Sequence, residues 1–246
     1  MQDVENVYQE AFYKSKSLNG LFIHDISNLF QIISNSIELC ESLLKEKVKI
    51  EDILEFFHMI AEQLDRGKSL IRNVRDLSEL EEYGIPLAPV EVFSMLRSVI
   101  NFTHISFPKK DIDINVISHY GNLYVMANEL LSEVFENIIT NSINYSKNKV
   151  VQIEIIISVI DVHYRNYVKI EFKDNGIGID DARKEKIFQD TRLKSRNSKG
   201  MGIGLSLVAK LIELYGGDIW VENRIKGDST KGSNFIILIP LAKKRG

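Results

Sequence analysis

Asn137 and Asn141 stand four residues apart, so on a helix they share one face, and most positions around them, such as Val134, Phe135 and Ile138, are apolar. An amide oxygen is a neutral, hard ligand, suited to a Mg2+ ion whose charge phosphate oxygens already balance. Alone, the pair reads more simply as solvent-facing or helix-capping polarity. Asp174-Asn175-Gly176-Ile177-Gly178-Ile179 follows directly on a β-branched run. A carboxylate there can accept a hydrogen bond from an adenine amino group, and glycines without Cβ let backbone come close to a nucleotide. Asp-Asn-Gly is also an ordinary turn. Lys199-Gly200-Met201-Gly202-Ile203-Gly204-Leu205 opens a helical pattern, where free amides and the helix dipole attract phosphate. Gly232-Ser233-Asn234-Phe235 begins the last apolar run and is unremarkable by itself. Near the other end, His24 is followed by Asp25 and, one helical turn on, by Asn28. A neutral imidazole is a competent nucleophile, and a neighbouring carboxylate can orient the ring and take its proton. A surface His-Asp pair is more often accidental than functional.

These residues need two kinds of scaffold. Of the four prolines the first is Pro86, so no proline interrupts a helix before it. Phe22, Ile26, Leu29, Ile33, Cys40 and Leu43 alternate three- and four-residue steps, with Ser36 as the polar member. Ile53, Phe57, Ile60, Leu64, Ile71 and Val74 repeat the pattern, with Gly67 on the seam. Such narrow stripes predict two antiparallel helices turning over Lys45 to Lys49, and a two-helix hairpin needs a partner to enclose a core. A homodimeric four-helix bundle is the economical answer. His24 falls off the seam, with Asn28 on its face.

Beyond Pro86 the period changes. Residues 112–116, 151–157, 168–172, 218–222 and 234–239 read as strands, and 92–102, 128–144 and 203–215 as helices, the last stopped by Gly216-Gly217. The expectation is an α+β protein: a helical dimerisation domain over 1–84, then an α/β sandwich over 85–246, with Gly84 to Pro89 as linker. The 246 residues carry a net charge of −3, which offers no basic excess for nucleic acid. The single cysteine allows no intrachain disulfide and suits a reducing, cytoplasmic setting. No apolar run is long enough to span a bilayer, and the first residues lack a secretory pattern, so any membrane sensor would lie upstream.

The order Asn-xxx-Asn, Asp-x-Gly-x-Gly, Gly-x-Gly-x-Gly before a helix, then Gly-Ser-x-Phe resembles the ATP-binding domain shared by histidine kinases, gyrase, Hsp90 and MutL, over roughly Pro86 to Pro240. The resemblance implies that Asn141 binds Mg2+, that Asp174 reads adenine with Ser233 supporting it, and that Gly176 and Gly178 line the base. It further implies that Gly200, Gly202 and Gly204 bracket the phosphates, and that 189–199 form an ATP lid with Lys194, Arg196 and Lys199 as phosphate contacts. Water-activating members place a glutamate four residues before the Mg-binding asparagine; here that residue is Asn137, and an amide is no general base. This favours a kinase over a gyrase-type ATPase. Residues 22–29 resemble the phosphoacceptor box of sensor histidine kinases: histidine, adjacent acid, then Asn or Thr four after the histidine. The implied activity is ATP-dependent phosphorylation of His24, transfer to an aspartate of a response-regulator receiver domain, and a phosphatase role for Asn28. The family's proline after the histidine is missing, Asn144 stands where lysine is common, and Thr191 replaces an aromatic.

Overall fold

The computed structural model describes residues 26–44, part of 53–75, 86–188 and 203–243. The chain divides into two compact units, Met1–Glu82 and Tyr83–Gly246.

In the first unit, residues 26–44 form helix α1, and the described residues between 53 and 75 are helical (α2). Leu29, Ser36 and Cys40 of α1 are buried, as are Ile53 and Gln63 of α2. Ser36 satisfies its hydroxyl by donating to the Ile32 carbonyl at 2.8 Å, which lets a polar residue sit on the apolar seam. A Cβ on Gly67 would stand 3.5 Å from the Leu29 side chain, so the glycine lies where the helices face each other. Of the second stripe, Phe57, Leu64 and Ile71 are each more than half exposed in the single chain. They recur every seven residues, and so do Phe30, Ile37 and Leu44 on α1, which are also exposed. Each helix thus keeps an apolar stripe exposed in the single chain.

The second unit is built on a seven-stranded sheet in the order β1-β3-β7-β5-β4-β2, with β6 also paired to β7. Its strands are β1 (Ala88–Glu91), β2 (Asp111–Ser118), β3 (Tyr124–Ala127), β4 (Val150–Val162), β5 (Arg165–Asp174), β6 (Asp218–Ile225) and β7 (Asp228–Ala242). Helices α3 (Val92–Ser106), α4 (Leu131–Asn144), α5 (Asp181–Lys184) and α6 (Ile203–Leu214) complete it. Only β2 and β4 run parallel; the other pairs are antiparallel. Alternation along β5 buries Val168, Ile170 and Phe172 completely, against the equally buried Val134, Phe135 and Ile138 of α4, and the Phe135 and Phe172 rings lie 5.9 Å apart. The intervening Lys169, Glu171 and Lys173 are half-buried on the opposite face, where Lys169 and Glu171 pair at 3.1 Å. The architecture is therefore the expected α+β sandwich.

Differences from the sequence reading are local. Ala88 and Pro89, assigned to the linker, belong to β1, an edge strand in which proline costs no ladder bond. β1, β3 and α5 are four residues each, too short to show a period. Helix α4 starts at Leu131 rather than Asn128, because residues 128–130 form a tighter turn in which Leu131 N–H donates to Asn128 O at 3.2 Å and Ser132 N–H to Glu129 O at 3.2 Å. Asn128 instead anchors the far end of the helix pair: its Oδ1 accepts from Leu130 N–H at 3.1 Å and from the buried Tyr215 hydroxyl at 2.5 Å. Among the described residues no helix is long and apolar enough to cross a membrane.

Candidate functional site

Strand β5 ends at Asp174, and β7 passes beside it at Ser233, so the two strands bring together residues separated by most of a helix and a hairpin in sequence. Asp174 is only 3% exposed. The Ser233 hydroxyl donates to its Oδ2, while Gly176 N–H (2.8 Å) and Ser233 N–H (3.3 Å) donate to Oδ1. Burial pushes the Asp174 carboxyl above its ordinary value; these hydrogen bonds and the nearby Arg224 guanidinium oppose that rise. A buried carboxylate is a costly feature unless donors reach it, and here the protein supplies three of them.

The glycines around it are required by protein packing. Gly178 has φ +71°, and a Cβ there would lie 2.0 Å from the Ser229 carbonyl oxygen. Gly232 has φ +94°, and its Cβ would lie 1.9 Å from the Asp174 carbonyl oxygen. Both conformations are ones that side chains disfavour, and both contacts are with backbone that cannot step aside. At Gly176 a Cβ would crowd the Asp174 carboxylate at 2.8 Å.

Two residues that the sequence reading passed over hold this loop. Asn175 accepts from Gln152 N–H at 3.0 Å and donates to Val150 O at 3.0 Å, fastening the loop to the start of β4. Tyr145, just beyond α4, accepts from Ile177 N–H at 3.1 Å through its carbonyl. The signal for Asn175 was its place in Asp-Asn-Gly; Tyr145 acts through its backbone and leaves no trace in residue type. Tyr145 N–H in turn donates to Asn141 O at 2.9 Å, so Asn141 sits one helical turn from the loop. Asn141 is half-buried, and its carboxamide makes no hydrogen bond with the described residues. Asn137, also half-buried, turns its Nδ2 back to donate to Glu133 O at 2.8 Å.

No group of three or more His, Cys, Asp or Glu side chains among the described residues can hold a metal. The donor chemistry is instead one uncommitted amide, Asn141, which suits an ion that brings phosphate and water as its other ligands. Gly204 lies half-buried in the first turn of α6. His24, Asp25, Lys194, Arg196, Lys199, Gly200 and Gly202 lie outside the described residues. Asn28 is exposed on α1.

A buried, donor-held carboxylate at a strand end, beside a glycine loop tied to the asparagine helix, is the arrangement expected of the ATP-binding domain that the ordered motifs resemble. Residues 126–243 match the family described as histidine kinase-, DNA gyrase B-, and HSP90-like ATPase, and the domain belongs to it. Within that family it is closely related to sensor histidine kinases. The chain is 24% identical over 253 residues to the adaptive-response sensory kinase SasA of Synechocystis sp., a match that takes in 98% of this chain and 62% of SasA. It therefore spans less than two thirds of that relative. The catalytic domain of histidine kinase ThkA is 27% identical, with a TM-score of 0.53 over 63% of this chain and 98% of that structure. Full-length ShkA in complex with AMPPNP shares the fold at a TM-score of 0.59 and 23% identity, over 88% of this chain and 46% of ShkA.

The raised Asp174 value has a measurable consequence. From the ordinary 3.8 up to the raised value, the folded state holds this proton more tightly than the unfolded chain, so ionisation costs stability. The unfolding free energy of the parent minus that of Asp174→Asn should fall as pH rises above 3.8, then level off. Urea denaturation across that range measures it; a difference that rises with pH would contradict this account of the carboxyl.

Proposed function

We propose that the chain is the catalytic core of a sensor histidine kinase: it binds Mg-ATP, phosphorylates its own His24 and passes the phosphoryl group to an aspartate of a response-regulator receiver domain. The observation that carries this reading is the buried Asp174 carboxylate, with Ser233 and Gly176 donating to it, in a domain of the family that histidine kinases share with DNA gyrase B and HSP90. Asp174 would accept the adenine amino hydrogen, which guanine, with a carbonyl at that position, does not offer. Gly176 and Gly178 would shape the base pocket, and Gly200, Gly202 and Gly204 would lie along the phosphates. Lys194 and Arg196 would balance their charge. Asn141 would hold Mg2+, which supplies further charge neutralisation when bound. An ATP-consuming core of this kind works in the cytoplasm.

In the transfer, the unprotonated ring nitrogen of His24 attacks the γ-phosphorus in line. An N–P bond forms, the bond to the bridging oxygen breaks, and ADP leaves with that electron pair. Asp25 orients the ring and takes the proton from its other nitrogen. Asn137 would stand beside the phosphates without activating water, since its amide has no basic site. That argues against a gyrase-type ATPase as the second reading.

The partner of the helical unit would be a second copy. Phe30, Ile37 and Leu44 on α1 and Phe57, Leu64 and Ile71 on α2 form exposed heptad stripes, the pattern that packs helices in a four-helix bundle. Replacing Leu64 with Glu would bury a charge there, so the L64E chain should sediment as a monomer at concentrations where the parent is a dimer. A parent that is itself monomeric would sink the bundle.

With γ-labelled ATP, the parent should acquire acid-labile, base-stable label, and His24→Ala should acquire none. Its ADP affinity should stay within about twofold, because nucleophile and nucleotide sit in separate units. Free phosphate with no protein label would point to an ATPase instead.

Asn28 lies one helical turn beyond His24, about 6 Å along an ideal axis. Its amide would hold the water that hydrolyses a docked phosphoaspartate, a step in which His24 is not the nucleophile. Asn28→Ala should keep autophosphorylation but slow regulator dephosphorylation at least about tenfold, or ~1.4 kcal/mol. Equal dephosphorylation rates in parent and variant would remove Asn28 from that role.

A further inference from the structure

Helices α4 and α6 pack against each other, and their buried side chains are nearly all apolar. Among the described residues of α6 the buried ones are Leu207, Val208, Leu211 and Ile212. The one buried polar side chain within α4, Ser142, donates to its own helix at Ile138 O, 3.1 Å away. A polar contact closes one end of the pair. The Tyr215 hydroxyl, at the end of α6, donates to Asn128 Oδ1, just before α4, at 2.5 Å. Both side chains are buried, Tyr215 at 2% exposure and Asn128 at 7%. The same Oδ1 accepts from Leu130 N–H at 3.1 Å, which fixes the amide and leaves Nδ2 with no acceptor among the described residues. Burial also pushes the Tyr215 hydroxyl well above the ordinary tyrosine value, so it remains a donor at every working pH.

Leaving a buried amide N–H unpaired is unfavourable, and two apolar side chains would fill the same space without that cost. A polar bond supplies something that aliphatic surfaces do not: a single setting of one helix on the other, because apolar ridges can interlock in more than one register. Gly204, in the first turn of α6, lies eleven residues before Tyr215, about 16 Å along an ideal axis. A helix is stiff over that length, so a shift at the Tyr215 end is carried to the Gly204 end. Helix α4 has its own fixing at the other end: Asn141 lies in its last turn, and Tyr145, just beyond, is bonded to the Asn175–Ile177 loop. We propose, on the nucleotide reading above, that Tyr215 is a positioning residue for the phosphate half of the site. Through Asn128 its hydroxyl sets α6 on α4, and with it the spacing between Asn141 and the glycines that open α6. The adenine half is built from β5, β7 and the loop whose Gly176 amide holds Asp174, and it does not rely on this bond.

The test titrates the full chain calorimetrically with AMPPNP in the presence of Mg2+ and, in a second arm, with AMP in Mg-free buffer. Mg-AMPPNP draws on both halves of the site, and AMP chiefly on the adenine half. Tyr215→Phe keeps the ring and removes only the hydroxyl. Its affinity for Mg-AMPPNP should fall at least about tenfold, within what a misplacement of about 1 Å can cost. Its affinity for AMP should stay within about twofold of the parent, which also shows that the variant is folded. Asn128→Ala should give the same split, and the double variant no larger a loss than either single change, since all three remove one bond. Equal falls in both arms, an unchanged Mg-AMPPNP affinity in Tyr215→Phe, or losses that add in the double variant overturn the role of Tyr215. A parent that binds Mg-AMPPNP but not AMP overturns the independence of the adenine half. A parent that binds neither overturns the nucleotide reading itself, and the role of Tyr215 with it.

Discussion

The second unit is organised around one buried carboxylate. Asp174 ends β5, and its two oxygens take donors from the following loop and from the start of β7. Desolvating that charge is unfavourable, and the three donors offset the cost only if β5, the loop and β7 keep their spacing. The rest of the site follows from that demand. Gly232 is glycine because the Asp174 carbonyl passes where a Cβ would be, and Gly178 because the Ser229 carbonyl does. Asn175 and Tyr145 then lock the loop to β4 and to the end of α4, which carries Asn141.

The sheet makes such spacing possible. β4, β5 and β7 pair over long registers, so Ser233 and Asp174 are held by a ladder in which Phe172 lies opposite Phe235 and Val168 opposite Ile239. Helices cover one face through the fully buried Val134, Phe135 and Ile138 of α4. A site built at the ends of paired strands and a packed helix can hold its geometry within narrow limits, and its recognition chemistry is aimed by rigid elements. The helical unit has the opposite character: each helix keeps an apolar stripe exposed, so its core is incomplete in a single chain.

Much of this was legible in residue order. Alternation and helical period located most of the long strands and helices, since period-2 and period-3.6 burial leave a mark on residue type. Ordered motifs marked Asn141, Asp174 and Ser233 as candidates and indicated the family, to which the domain does belong. Four-residue elements such as β1, β3 and α5 escaped notice because they are shorter than any period, and the start of α4 was displaced because a tight turn and a helix share composition. The stripe of Phe57, Leu64 and Ile71 shows helical packing, but a heptad stripe does not say which neighbour it faces.

What the sequence determined by itself, then, was which side chains are available and in what order: a carboxylate before glycines, two asparagines on one helix face, and apolar stripes at heptad spacing. The resemblance implied that Ser233 supports Asp174, and the structure joins the two across 59 residues of chain; only the tertiary structure decided that Tyr145 contributes through its carbonyl. It also decided that Gly178 and Gly232 answer to neighbouring backbone. The reason is physical: residue type and period encode local conformation and burial, whereas strand register and loop closure are settled by contacts between distant segments, which no local pattern records.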